Sequence, residues 1–287
     1  MLGKTVLITG ASSGIGKYTA IALARQGATV ILHGRDHGRV DQVRRQVLAE
    51  CGHRNVDILI GDLSLMSDTV KMATDFRSRY DHLDVLINNA GAMMGREREE
   101  TAEGLECTFA INLMGPWLLT NLLLDLLKES SSARIVNVSS SAHRQDARPD
   151  FNDLQSHRNY APLTAYGNAK LYLILASQWL SRKLVEDKYQ HITVNTLHPG
   201  AVATNFSRQS DLGFVLKGMM KLARRFFKTA EQGAETLIYL ASAPEVQGIT
   251  GHYFVDKKMA VVNKKYDSIT NEQIVWDYCE HLTGVRY

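Results

Sequence analysis

Cysteine is scarce in this chain of 287 residues, and Cys51, Cys107 and Cys279 are the whole complement. Three thiols so far apart, odd in number and without a C-x-x-C pair, suggest neither a disulfide framework nor a metal site and point to a reducing compartment. Nothing approaches the roughly 18 consecutive apolar residues of a membrane span. The first strand begins almost directly after Met1-Leu2-Gly3-Lys4, which leaves no room for a signal peptide or anchor, so a cytoplasmic chain is expected. Charge excess is missing too: a net charge of +3 argues against a nucleic-acid partner. Internal repeats and low-complexity tracts are also absent. The composition is that of an ordinary globular protein, 45% hydrophobic and 22% charged, and the length can bury one large core without cross-links.

The organising stretch runs from 5 to 35. An apolar strand, a glycine-rich turn, an amphipathic helix and a second apolar strand follow one another there, as in a nucleotide-binding βαβ unit. Gly10 permits a tight exit from the strand, Gly14 lets backbone approach a pyrophosphate, and Gly16 lets the helix pack closely with its N-terminus facing phosphate; Ser12, Ser13 and Ile15 complete the cradle. Three residues rather than one separate the first two glycines. That TGxxxGIG form resembles the short-chain dehydrogenase/reductase family. An NAD-binding unit places a carboxylate at the end of the second strand, where this chain has His33-Gly34-Arg35. Arg35 offers a planar cation suited to a 2′-phosphate, so NADP(H) is the expected cofactor. Asp36 follows directly and is open to two readings, a local partner of Arg35 or a weak ribose acceptor.

Further strands are expected over 56–60, 83–87, 134–138, 192–197 and 252–255. Helices are expected over 38–51, 67–80, 118–128, 166–184, 230–241 and 272–281. This alternation specifies an α/β fold, one domain over 1–287 with a doubly wound, mostly parallel sheet of about seven strands. The polar insertion 142–163 precedes the fourth helix of that series.

Tyr166 and Lys170 stand four residues apart on one helical face, within reach of one substrate. A tyrosine of ordinary pKa near 10 is a poor base at neutral pH unless a cation favours its phenolate, and Lys170 is that cation. A serine hydroxyl then holds the substrate oxygen while Tyr166 exchanges its proton. TGxxxGIG, Asn88-Asn89-Ala90-Gly91, the serines after the fifth strand, YxxxK and the Pro199-Gly200 turn together resemble the short-chain family and its Rossmann-type fold over nearly the whole chain. The resemblance implies that Asn112 completes a proton relay, and that Asp62 with the Leu63 backbone holds the adenine. It places Asn89, Ala90 and Gly91 beside the ribose, and Pro199, Gly200, Val202 and Thr204 against the nicotinamide. Alignment of Ile135-Val136-Asn137-Val138-Ser139-Ser140 with the family's pattern nominates Ser140, with Ser139 and Ser141 as alternatives. Ala169 stands where a serine is usual.

The phrases IVNVSSSAH, Asp153-Leu154-Gln155, LINNAGAMM and Phe227-Lys228-Thr229 are similar to the retinol-dehydrogenase-like branch, which implies NADP and lipophilic alcohols or aldehydes. From 212 to 228 apolar and basic residues segregate at helical spacing. The segment reads as a core helix with a solvated face, as a substrate lid within 205–228, or as an element that docks transiently on an anionic membrane. The expected activity is hydride transfer between NADP(H) and a carbonyl or alcohol of a small lipophilic molecule, in a chain that can homodimerise. The contrasting reading is an NADP-binding sensor or scaffold without turnover.

Overall fold

The computed structural model describes residues 1–202 and 228–287. Its central strands are short apolar runs buried on both faces, as a sheet covered by helices requires, while the edge strands Val56–Ile60 and Lys258–Ala260 are partly exposed. They are β1 (Thr5–Ile8), β2 (Thr29–Gly34), β3 (Val56–Ile60), β4 (Val85–Asn88), β5 (Ala133–Val138), β6 (Ile192–His198), β7 (Tyr253–Val255) and β8 (Lys258–Ala260). They lie in the order β3-β2-β1-β4-β5-β6-β7-β8. Among the described strands only β8 runs antiparallel to its neighbour. β8 escapes the sequence reading because it has three residues and returns through Asp256-Lys257, both at positive φ (49° and 62°), a two-residue hairpin turn made without the glycine that normally marks one.

Alternate residues of each strand feed two cores. Val6, Ile8 and Val136 pack against α1 (Gly14–Arg25), α2 (His37–Cys51) and the helix Ala230–Ser242. Leu7, Leu86 and Ile135 pack against α3 (Met66–Arg79), the apolar helices around Trp117, the long Tyr166 helix and the C-terminal helix Ile269–Thr283. In this second layer Trp276 stacks on Trp179, centroids 4.0 Å apart and planes 13° apart, and meets Trp117 edge-on at 5.0 Å. All three tryptophans of the chain therefore share one cluster.

The expected helix over 118–128 is longer and interrupted: α4 (Cys107–Phe109), a π turn (Ala110–Met114), α5 (Gly115–Leu122) and α6 (Leu124–Lys128). Pro116 explains the π turn. It has no N–H for the carbonyl of Asn112, four residues back, and its ring crowds that carbonyl, so the chain widens there. The insertion before Tyr166 contains α7 (Ala142–Gln145), and α8 starts earlier than expected (Pro162–Glu186), which puts Tyr166 one turn inside it. Gln155 ties the insertion down. Its Oε1 accepts from the Glu106 amide at 2.9 Å, and its Nε2 donates to the Tyr278 hydroxyl at 2.7 Å. Among the described residues no helix is long and apolar enough to cross a membrane.

Candidate active site

β1 pairs with both β2 and β4, so the sheet's winding reverses at the carboxyl end of β1, where open α/β sheets bind ligands. The glycine turn leaves β1 there. Gly10 has φ +66°, and a Cβ on it would come within 3.0 Å of Ala90 Cα; one on Gly16 would lie 2.6 Å from the Gly10 carbonyl. The cradle is braced from β4. Asn89 Nδ2 donates to the Thr9 and Gly10 carbonyls at 2.9 and 3.3 Å, while Thr9 Oγ1 accepts from the Asn89 and Ala90 amides at 2.9 and 3.0 Å. Asn89 thus shapes the turn through its side chain. Ser13 lies exposed at the start of α1 and makes no capping bond with its side chain, so the amides of the first turn face outward, a fit for phosphate. Ile15 is buried against Gly233.

His33 is a strut that the sequence reading missed, since a single histidine in a strand carries no signal. Its ring is buried between strand ends: Nδ1 accepts from the Gly10 amide at 3.3 Å, so Nε2 carries the proton and donates to the Gly61 carbonyl at 3.0 Å. Burial lowers its pKa to about 4 from an ordinary 6.5, against smaller opposing effects of Gly61 and Asp62. The unfolded chain therefore binds a proton that the folded one refuses between those values. Stability is fully present above pH 6.5 and falls by up to about 3 kcal/mol as pH drops towards 4. Urea melts of wild type and His33→Gln at pH 7.5 and 5 test this: the wild type is expected to lose more stability on acidification, and equal losses would remove His33 from the account.

At the adenosine end, Arg35 follows β2, half-exposed, with Nη1 3.5 Å from Asp62 Oδ2. Asp36 instead caps α2, its Oδ1 accepting from the Arg39 amide at 2.8 Å, while the ion pair of Arg35 is with Asp62. Asp62 is engaged by Ser64, through its amide at 2.9 Å and its hydroxyl at 2.7 Å. These bonds and Arg35 outweigh its partial burial, so its carboxyl titrates below the ordinary range. Leu63 is buried, with its carbonyl against Gly115, where a Cβ would come within 2.2 Å. Ser12 lies beside the end of β2, 3.4 Å from the position of a Cβ on Gly34.

The catalytic candidates converge at the ends of β4 and β5. Ser139 Oγ donates to the Lys170 carbonyl at 2.9 Å, away from the opening, and Ser141 begins α7. Ser140 is the serine whose hydroxyl bonds Tyr166. Of the three serines in a row, it is the one that meets the tyrosine. Lys170 Nζ donates to the Val138 carbonyl at 2.8 Å and stands 5.8 Å from the centroid of the Tyr166 ring. Burial lowers its pKa to about 7. Asn112 lies on the π turn, with Nδ2 donating to the Ala92 and Thr108 carbonyls at 2.6 and 2.8 Å and Oδ1 accepting from the Ala92 amide at 3.3 Å. Gly91 sits between these groups: a Cβ on it would lie 2.7 Å from Asn112 Oδ1 and 3.0 Å from Lys170 Nζ.

Burial raises the Tyr166 phenol above its ordinary range, and the Ser140 hydroxyl opposes that shift. The phenol is thus held as an acid. Met93 and Ala142 pack on its ring and make the neighbouring wall apolar.

Beyond β6, Gly200 has φ +91°, and a Cβ there would come 2.9 Å from Lys228 Cδ. Pro199, beside it, is half-buried. Val202 forms a parallel bridge with Lys228 and packs on Gly233. Thr204 and the segment expected as a lid, apart from Lys228, lie outside the described residues.

The profile of the family described as short chain dehydrogenase matches residues 4–212. Human retinol dehydrogenase 14 is 40% identical, the match spanning 99% of this chain and 88% of that one. Human polyprenol dehydrogenase is 38% identical, over 98% and 86% respectively. Among solved structures, an uncharacterized protein of Mycobacterium paratuberculosis superposes with a TM-score of 0.79 at 28% identity, covering 100% of this chain and 95% of that one. A short chain dehydrogenase of Shigella flexneri 2a complexed with NADP gives 0.67 at 25% identity, over 88% and 97%.

Proposed function

Because the chain belongs to the short-chain dehydrogenase family, a family of nicotinamide-dependent oxidoreductases, we propose that it moves a hydride between NADP(H) and the carbonyl or alcohol carbon of a small lipophilic molecule. Retinal, other polyisoprenoid aldehydes, and aliphatic aldehydes or ketones are the substrate class. The observation that carries this reading is the Ser140–Tyr166–Lys170 cluster closed behind Gly91 by Asn112. The names of the relatives, retinol and polyprenol dehydrogenases, support a lipophilic substrate, as does the Met93–Tyr166 wall.

The residues present suit the cofactor: close-approach glycines, outward-facing α1 amides and Arg35 would hold its phosphates, and Lys170 its ribose. When bound, it supplies or accepts the hydride. The rest is the chain's own work. Ser140 bonds the substrate oxygen, and Tyr166, kept protonated by burial, gives its proton to that oxygen as the hydride reaches carbon. Lys170 offers positive charge to the phenolate that remains. The Asn112 side chain is taken up by Ala92 and Thr108, so the relay to solvent runs through its backbone carbonyl, which Pro116 leaves without an i+4 donor. Alcohol oxidation runs the same steps in reverse. The chain works in the cytoplasm, touching membranes only transiently, and pairs as a homodimer.

Kinetics with NADPH and NADH test the cofactor half of the proposal. Arg35→Ala is expected to raise the KM for NADPH roughly ten- to hundredfold, the worth of one charged hydrogen bond, and to leave NADH kinetics unchanged. Equal effects on the two cofactors would show that Arg35 does not read the 2′-phosphate. Tight NADPH binding without turnover of any aldehyde or ketone would favour the sensor reading.

A further inference from the structure

We propose that His143 is the positioning residue of Ser140, fixing the peptide that aims the serine hydroxyl at Tyr166. The inference rests on the hydride-transfer reading above. The Ser139 amide makes the last ladder bond of β5, donating to the Leu197 carbonyl at 2.7 Å. Ser140 stands one residue beyond that support. Its carbonyl is held instead by His143 twice: by the backbone amide at 3.2 Å and by ring Nδ1 at 2.6 Å. Two donors fill both lone pairs of that oxygen, so the Ser140–Ser141 peptide cannot rotate without breaking them. The hydroxyl end is fixed as well, since Ser140 Oγ accepts from the Ala142 amide at 3.2 Å and bonds Tyr166.

The imidazole is itself immobilised. It is fully buried on α7, meets the Tyr253 ring edge-on at 4.8 Å, and its residue's carbonyl accepts from Asn263 Nδ2 at 3.5 Å. A carbonyl partner requires the proton on Nδ1, and burial keeps the ring neutral, so Nε2 is a bare acceptor. Nε2 has no partner among the described residues. A buried acceptor without a donor is costly, and a leucine or phenylalanine would fill the same space without it. The hydrogen bond to Ser140 is what the histidine adds to packing. Gly167 keeps this arrangement close to Tyr166, since a Cβ there would press within 2.9 Å of the Ala142 carbonyl.

Two substitutions separate the bond from the packing. Asparagine can place an amide nitrogen where Nδ1 stands, whereas glutamine reaches towards Nε2 and leaves that point empty. Full-length His143→Asn, His143→Gln and Tyr166→Phe are compared with wild type, using NADPH and the aldehyde that wild type reduces fastest. His143→Gln is expected to lose roughly ten- to hundredfold in kcat, the scale of a misplaced catalytic group, with unchanged NADPH affinity; His143→Asn is expected to recover most of it at a similar Tm. Equal turnover in the two variants would overturn the role, as would a loss of NADPH affinity in both. If Tyr166→Phe is inactive while His143→Gln matches wild type, only this inference fails. If Tyr166→Phe turns over normally, the hydride-transfer reading fails first and takes the inference with it.

Discussion

Tyr166→Phe is expected to cut aldehyde reduction by roughly 10²- to 10⁴-fold, the usual worth of a positioned acid, while NADPH binds as in wild type. The substitution removes one oxygen and keeps the ring, so Met93 and Ala142 retain their contacts and the helix is undisturbed. Ser140 then has no phenol to bond. Asn112 is not an acid, and Lys170 is drawn away to the Val138 carbonyl. Ser140→Ala makes the complementary case, a smaller loss, because the proton donor survives and only its alignment suffers. Single-turnover rates at saturating NADPH, together with nucleotide affinity by fluorescence quenching, give the two quantities separately. A mutant that lost affinity and rate together would point to a disturbed fold rather than a missing proton.

Trp276→Ala is expected to destabilise the protein by about 3–5 kcal/mol, the range for removing a large buried aromatic. Trp276 is 1% exposed and holds the C-terminal helix to two others at once, through Trp179 on α8 and Trp117 on α5. Its indole N–H bonds Glu280 Oε1 at 3.1 Å within its own helix, so truncation leaves that oxygen one donor fewer, with the Tyr287 amide still bonded to it at 3.1 Å. Urea unfolding followed by circular dichroism measures the loss. Emission from the two remaining tryptophans reports whether water enters the cluster before the sheet melts. Since α8 carries Tyr166 and Lys170 on its first turns, and the cluster grips its middle, activity should fall only where the fold does. A stability change below about 1 kcal/mol would mean that the helix is held mainly elsewhere.

The βαβ unit was legible because strand and helix have different apolar periods and glycine marks the turn between them. Tyr166 and Lys170 were legible for a similar reason: four residues is one helical turn. Ser140 was legible only as the first choice among three, because its neighbours are chemically identical, and the direction in which Ser139 bonds the α8 backbone sets them apart. The π turn was hidden in a continuous apolar run. Its cause, Pro116 four residues after Asn112, is a pairing that a pattern search for the catalytic asparagine passes over. His33 and His143 were invisible as site residues for another reason: each acts through backbone groups, and backbone has no letter in the sequence.

The bridge between Val202 and Lys228 has a consequence for how such a chain can change. Lys228 donates its amide to the Ala201 carbonyl at 2.8 Å and pairs its ammonium with Asp256, while Val202 rests on Gly233. Whatever stretch joins these two residues therefore begins and ends at one fastened point. Residues 201–202 and 228 are thus a single joint of the frame, and a change at Val202 or Lys228 would be felt at the Gly200 turn and at Gly233 together.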